Sequence, residues 1–281
     1  MRNSLNMSFI GTFLKKPSLG SFHSALFAER NTKVERGILY GKLPRYKLDV
    51  YKPRKISSKT PVVIFYYGGG WDSGDREMYG FAGSALASAG YIAVVPDYRL
   101  YPEVIYPDFM NDIALSYIWT FNNVVQRGNN RSPFFVMGHS AGAHMAALLT
   151  YNPKYLAAQK KGMPRPNGFI GLAGPYGYNP LTHERSRHIF QNVHMASDVQ
   201  PVHQVRKGAA PALLIHGKKD RTVHLFNGLE MRDALRMVGS QAQLLEIENG
   251  EHVSMILSLA NPYRKQMPVM DSLRQFISLH S

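Results

Sequence analysis

Phe134-Phe135-Val136-Met137-Gly138-His139-Ser140-Ala141-Gly142-Ala143 runs from an apolar stretch, through a Gly-x-Ser-x-Gly turn, into an alanine- and leucine-rich segment ending at Leu149. The order predicts a buried strand, a sharp turn and a helix. Such a turn forces the serine into a strained backbone conformation, and glycines two residues to either side avoid clashes with neighbouring segments. The hydroxyl of Ser140 is thereby expected to stand exposed above a sheet. The helix that follows would turn unpaired backbone N–H groups and a positive dipole end toward any oxyanion formed there.

Outward from this turn, short β-rich runs alternate with helical patterns from Tyr46 onward. The predicted strands are Lys47–Tyr51, Val62–Tyr67, Tyr91–Pro96, Phe134–Gly138, Gly168–Ala173, Ala212–His216 and Gln243–Ile247. Helices are expected over Gly80–Ala89, Pro107–Arg127, Ala141–Tyr151, Leu225–Val238 and Met267–Leu279. This order belongs to the α/β class, a mostly parallel central sheet covered by helices on both faces. Several strands read as continuous apolar runs, as expected for strands buried on both sides. The chain of 281 residues, with 44% hydrophobic and 19% charged residues, has ordinary globular composition and suits one α/β domain. The stretch 176–208 is long for a connection, carries His183, His188, His194 and His203, and is expected to form a short lid-like insertion.

Serine is a poor nucleophile until an imidazole takes its proton, and the imidazole needs a carboxylate to fix its tautomer. Both should lie beyond strand ends, acid first. Ala212–His216 exits through Gly217-Lys218-Lys219-Asp220, and Gln243–Ile247 exits through Glu248-Asn249-Gly250-Glu251-His252. Asp220 is therefore the expected orienting acid and His252 the expected base. His139 and His144 flank the serine turn and are expected to point away from the serine's partner, while His216 reads as strand-end packing.

There is no cysteine, which excludes structural disulfides, thiolate metal sites and thiol catalysis. No H-E-x-x-H pairing, phosphate-loop lysine or Rossmann glycine spacing occurs, so neither a metal nor a nucleotide cofactor is expected. The formal net charge is +14, and the segment from Met1 to Lys55 holds 12 basic against 3 acidic residues. Residues 1–45 read as a basic arm whose apolar side packs on its own protein, or as a pocket-covering helix, with a weak anionic-membrane contact left open. Nucleic-acid binding would rest on charge alone and is not expected. The apolar stretch Met7–Leu14 is broken by Ser8, Gly11 and Thr12 and met at once by Lys15 and Lys16, a poor signal peptide. The apolar runs also fall short of the ~20 residues of a membrane-spanning helix. A cytoplasmic location is expected, with export and membrane association left open; oligomeric state is not legible.

Val62–Tyr67 ends in Gly68-Gly69-Gly70-Trp71, where absent side chains let backbone N–H groups approach a carbonyl. With Gly74-Asp75, the run Asp97-Tyr98-Arg99-Leu100-Tyr101-Pro102-Glu103, Tyr106-Pro107, Asp112, the serine turn and the Asp220 and His252 loops, the chain from about Tyr46 onward resembles the α/β-hydrolase superfamily. Within it the resemblance is to carboxylesterases related to hormone-sensitive lipase and to the BD-FAE and kynurenine-formamidase-like group. The resemblance implies the α/β-hydrolase fold, oxyanion N–H groups from Gly69, Gly70 and Ala141, and an architectural role for Arg99 and Asp112. The family usually carries histidine where this chain has Tyr67, whose phenol can still hydrogen-bond to the loop but differs from imidazole in size and reach. The implied activity is cofactor-free hydrolysis of short-chain carboxylic esters through a Ser140 acyl-enzyme. An arylformamidase or amide hydrolase with the same residues, and a non-catalytic binding module on this fold, are the alternatives.

Overall fold

The computed structural model describes residues 32–127, 130–261 and 263–281. Its eight-stranded sheet is built from β1 (Lys33–Leu39), β2 (Lys47–Lys52), β3 (Val62–Tyr66), β4 (Ile92–Pro96), β7 (Phe134–His139), β8 (Gly168–Leu172), β9 (Ala212–Gly217) and β10 (Ala242–Ile247), in the order β1-β2-β4-β3-β7-β8-β9-β10. Among the described residues two further strands, β5 (Gln126–Arg127) and β6 (Asn130–Arg131), pair antiparallel with each other. From β4 through β10 all neighbours are parallel, and β2 joins β4, and β1 joins β2, antiparallel. Every residue of β3, β4, β7, β8 and β9 is buried, which for a parallel sheet requires cover on both faces.

That cover comes from α1 (Gly80–Ser88) on β2 and β4, α3 (Ala141–Tyr151) on β7 and β8, α6 (Phe226–Met237) on β9 and β10, and α8 (Val269–Leu279) against β9. The second helix, α2 (Asp108–Thr120), packs on α3 and on α4 (Lys154–Gln159). Two short helices, α5 (Glu184–Ile189) and α7 (His252–Leu257), complete the α-helices among the described residues.

The seven expected strands and five expected helices all form, most with ends shifted by one or two residues, and two larger differences appear. The helix expected over Pro107–Arg127 ends at Thr120 and passes through a π-turn, Phe121–Val125, into β5. Asn122-Asn123-Val124-Val125 joins polar turn formers to β-branched residues, all weak helix formers. The sheet also begins before Tyr46. β1 falls inside the segment expected to be an arm, so the boundary at residue 45 does not divide the described part of the chain. Asp49 on β2 is fully buried and accepts from the backbone N–H of Gly37 at 2.8 Å, which fixes β1 at the edge. The rest of that segment, residues 1–31, lies outside the described residues. Among the described residues no helix is long and apolar enough to cross a membrane.

The parallel strands all end on one side. Gly68, Ser140, Asp220 and His252 follow β3, β7, β9 and β10 there, along the crevice where open α/β sheets bind ligands.

Candidate active site

Ser140 sits between β7 and α3 at φ 54° and ψ −125°, a region that costs a residue with a side chain roughly 1–3 kcal/mol. The glycine at 142 has a steric cause. A Cβ there would overlap the carbonyl oxygens of Tyr66 and Tyr67, and one on Gly138 would strike the backbone of Gly142. The turn is thus pressed against the end of β3, and larger residues would push Ser140 out of place.

The structure brings the expected base and acid to this serine. His252 Nε2 is 2.8 Å from Ser140 Oγ, and its Nδ1 is 2.8 Å from Asp220 Oδ2. A carboxylate only accepts, so Nδ1 carries the proton and donates to Asp220, which leaves Nε2 of the neutral ring to accept from the serine hydroxyl. His252 opens α7, where Glu251 and Ser254 form a reciprocal cap: the Glu251 N–H donates to Ser254 Oγ at 2.8 Å. The other oxygen of Asp220, Oδ1, accepts from the N–H groups of Thr222 and Val223 at 2.9 and 2.8 Å. Burial of Asp220 raises its pKa, but the hydrogen bond and charge of His252 and the two N–H donors more than offset that, so the carboxyl lies below the usual carboxylate range.

The glycine loop faces the serine across the crevice. Gly69, Gly70 and Trp71 have φ of 137°, 61° and 63°. A Cβ on Gly69 would collide with the Ser73 carbonyl, because the Gly69 carbonyl accepts from Ser73 N–H at 3.1 Å and Ser73 Oγ at 2.7 Å. Gly70 and Ala141 line a cavity of about 430 Å³ with Ser140 and Trp71, whereas Gly69 is not among the lining residues. Among the described residues the N–H groups of Gly69, Gly70 and Ala141 have no acceptor, which leaves donors free beside Ser140.

Tyr67, at the position where the family usually carries histidine, is fully buried between the rings of Tyr98 and Tyr79, with centroids 4.6 and 5.4 Å away. Its hydroxyl donates to Asp97 Oδ1 at 3.1 Å and accepts from Arg45 Nη2 at 3.3 Å. Arg45 also donates to the Gly74 carbonyl, so this brace spans both ends of the glycine loop. Arg99 grips both oxygens of buried Asp112, at 2.6 and 2.9 Å, away from Ser140.

Three contributions were not legible. His139 was expected to point away from His252; instead its Nε2 donates to the His252 backbone carbonyl at 3.1 Å, with ring centroids 5.0 Å apart. Side-chain direction at a strained turn is set by tertiary packing, and no sequence signal gives it. Burial first, and the neighbouring His252 second, push the His139 pKa down to about 3. His144 does point elsewhere, donating to the Val199 carbonyl at 2.7 Å. His216 packs at its strand end as expected and also braces the acid loop: its Nε2 donates to the Val223 carbonyl at 2.8 Å and lies 3.7 Å from Asp220 Oδ2. The third is the identity of the residues with which the expected lid-like stretch walls the cavity. Tyr178, His183, Arg185, Ser186 and Ile189 come from the 176–208 stretch. Arg185 is tied to Asp72 of the glycine loop at 2.5 and 2.7 Å. Among the described residues no cluster of histidine and carboxylate side chains is arranged to hold a metal ion.

Residues 48–165 match the BD-FAE family model, and residues 126–276 match that of the prolyl oligopeptidase family. The chain is 32% identical to esterase LipC of Mycobacterium tuberculosis over 77% of its own length and 59% of that protein's. It is 29% identical to isoprenylcysteine alpha-carbonyl methylesterase ICME of Arabidopsis thaliana over 80% of this chain and 58% of that one. It thus spans about three fifths of the length of these curated relatives. The crystal structure of esterase B from Lactobacillus rhamnosis with a tributyrin phosphonate inhibitor superposes with a TM-score of 0.78, at 19% identity, over 99% of this chain and 96% of that one. That likeness speaks for the fold.

Proposed function

The chain belongs to the prolyl oligopeptidase family through residues 126–276, and we propose that it is an α/β-hydrolase carboxylesterase that hydrolyses small carboxylic esters through an acyl-enzyme on Ser140. One observation carries the reading: a single imidazole, His252, lies within hydrogen-bond distance of both Ser140 Oγ and Asp220. In that arrangement His252 Nε2 takes the proton as Oγ attacks the ester carbonyl, and the imidazolium is stabilised by the ionised Asp220. The carbonyl oxygen becomes an oxyanion facing the free N–H groups of Gly70 and Ala141 at the start of α3, with Gly69 shaping the loop. Collapse of the intermediate breaks the bond to the alkoxy oxygen, which leaves with the proton from His252. Water then attacks the acyl-enzyme, gives its proton to the same nitrogen, and frees the acid and Ser140.

The 176–208 stretch acts as a short lid-like wall, held to the glycine loop by Arg185 and Asp72, and the cavity of about 430 Å³ that it bounds suits small substrates. Partners are accordingly small esters. The expected Ser140→Ala phenotype is an intact fold by circular dichroism and loss of 4-nitrophenyl acetate hydrolysis by at least ~10³-fold. A fluorophosphonate should label Ser140 in the parent protein. Undiminished turnover by the purified variant would overturn the assignment, and faster cleavage of N-formylkynurenine than of acetate esters would move it to an amide hydrolase.

A further inference from the structure

The charges around the cavity are one-sided. Arg185, Arg221, His183 and His224 line it, and no aspartate or glutamate does. Arg185 is already neutralised by its two hydrogen bonds to Asp72. Arg221 is not: among the described residues its side chain has no hydrogen-bond or ion-pair acceptor, although it follows the buried Asp220 directly. Most arginines of this protein do have acceptors, as Arg36, Arg76, Arg99 and Arg232 do on carboxylates.

The backbone beneath Arg221 is fixed from two sides. Asp220 Oδ1 accepts from the N–H groups of Thr222 and Val223, and the Val223 carbonyl accepts from buried His216. Arg221 therefore rises from the tip of a rigid turn beside the His252 pair, at the rim of the cavity that contains Ser140. A planar guanidinium with free donors recognises a carboxylate through two parallel hydrogen bonds. One guanidinium with unused donors suits a single carboxylate.

Resting on the hydrolase reading above, we infer that the preferred substrates are esters bearing a free carboxylate away from the scissile bond, and that Arg221 receives it. The carboxylate enters on the acyl or on the alcohol portion, and two matched pairs of esters distinguish these. For the acyl side the pair is mono-4-nitrophenyl adipate and its methyl-capped diester. For the alcohol side it is 4-acetoxybenzoate and its methyl ester. In the parent protein one pair should show kcat/KM favouring the anionic member by about five- to tenfold, chiefly through KM. That ratio should shrink toward one in Arg221→Ala, recover in part in Arg221→Lys, and fall with added salt. Arg187→Ala serves as the control. Arg187 is an exposed arginine that also lacks an acceptor among the described residues and does not line the cavity, so its removal should leave the ratio unchanged. Equal rates within both pairs, or a preference that survives in Arg221→Ala, would overturn the inference and leave the hydrolase reading standing. Turnover of none of the four esters would overturn both.

Discussion

His139 Nε2 donates to the backbone carbonyl of His252 at 3.1 Å, so the residue just before the nucleophile holds the main chain of the residue that faces it. The same ring closes the space beneath the glycine loop: a Cβ on Gly68 would come within 3.0 Å of His139 Nδ1. One buried imidazole thus touches three of the strand ends that form the site.

This makes His139 a positioning residue with a separable signature. His139→Phe keeps a planar aromatic ring, though a larger one, removes the donor to His252, and also removes Nδ1, which is buried without a partner. The lost donor and the relieved orphan oppose each other, so the loss of thermal stability should be limited to the fit of the larger ring, about 1–3 kcal/mol. Activity should fall by roughly tenfold to a hundredfold in kcat with KM nearly constant, because small displacements of a base from its proton are costly. His139→Gln, which can still donate to the carbonyl, should recover part of the rate. Ester kinetics beside melting curves check this, and an unchanged kcat in His139→Phe would remove the role.

The difference between what could and could not be read follows from where the information lies. Ser140, Asp220 and His252 were legible because each stands just beyond an apolar run, and parallel strands bring their ends together. β1 was not legible. Lys33-Val34-Glu35-Arg36-Gly37-Ile38-Leu39 has no clean alternation, since it is an exposed edge interrupted by an irregularity between Glu35 and Ile38. Its pairing depends on ion pairs with the next strand, Arg36 with buried Asp49 and Glu35 with Lys52. The ring direction of His139 and the freedom of Arg221 are likewise tertiary facts, and a local pattern does not contain them.

Tyr67 offers a test of the glycine loop. Tyr67→Phe keeps the stack on Tyr79 and Tyr98 but deprives buried Asp97 of a donor and Arg45 of an acceptor. Asp97 still has Arg76 at 2.6 Å, and Arg45 still has the Gly74 carbonyl, so the cost should be modest, about 1–2 kcal/mol. Tyr67→Leu also loses the ring stack and should cost a further ~1–3 kcal/mol. If the brace sets the loop, kcat should follow the same order, parent above Phe above Leu, as read by denaturant midpoints and ester turnover. A Leu variant with the parent's kcat would separate the brace from catalysis.

Acid should weaken the fold well before the carboxylates protonate. Burial lowers the pKa of His144 from the ordinary 6.5 to about 4, and burial together with His252 lowers that of His139 to about 3. Both are neutral in the folded protein where the unfolded chain would already hold protons. Below pH 6.5 the unfolded state gains protons that the folded state refuses, so stability is full above that pH and declines as pH falls toward the folded values. Each histidine adds a slope of about 1.4 kcal/mol per pH unit inside that window. Asp220, also depressed, adds its own loss only below the usual carboxylate range. Urea midpoints at pH 7, 6 and 5 should therefore fall stepwise. His144→Gln, whose amide can still donate to the Val199 carbonyl, should flatten the profile by about one proton. A parent profile that stays level from pH 7 to pH 5 would mean that neither ring is held neutral in the fold.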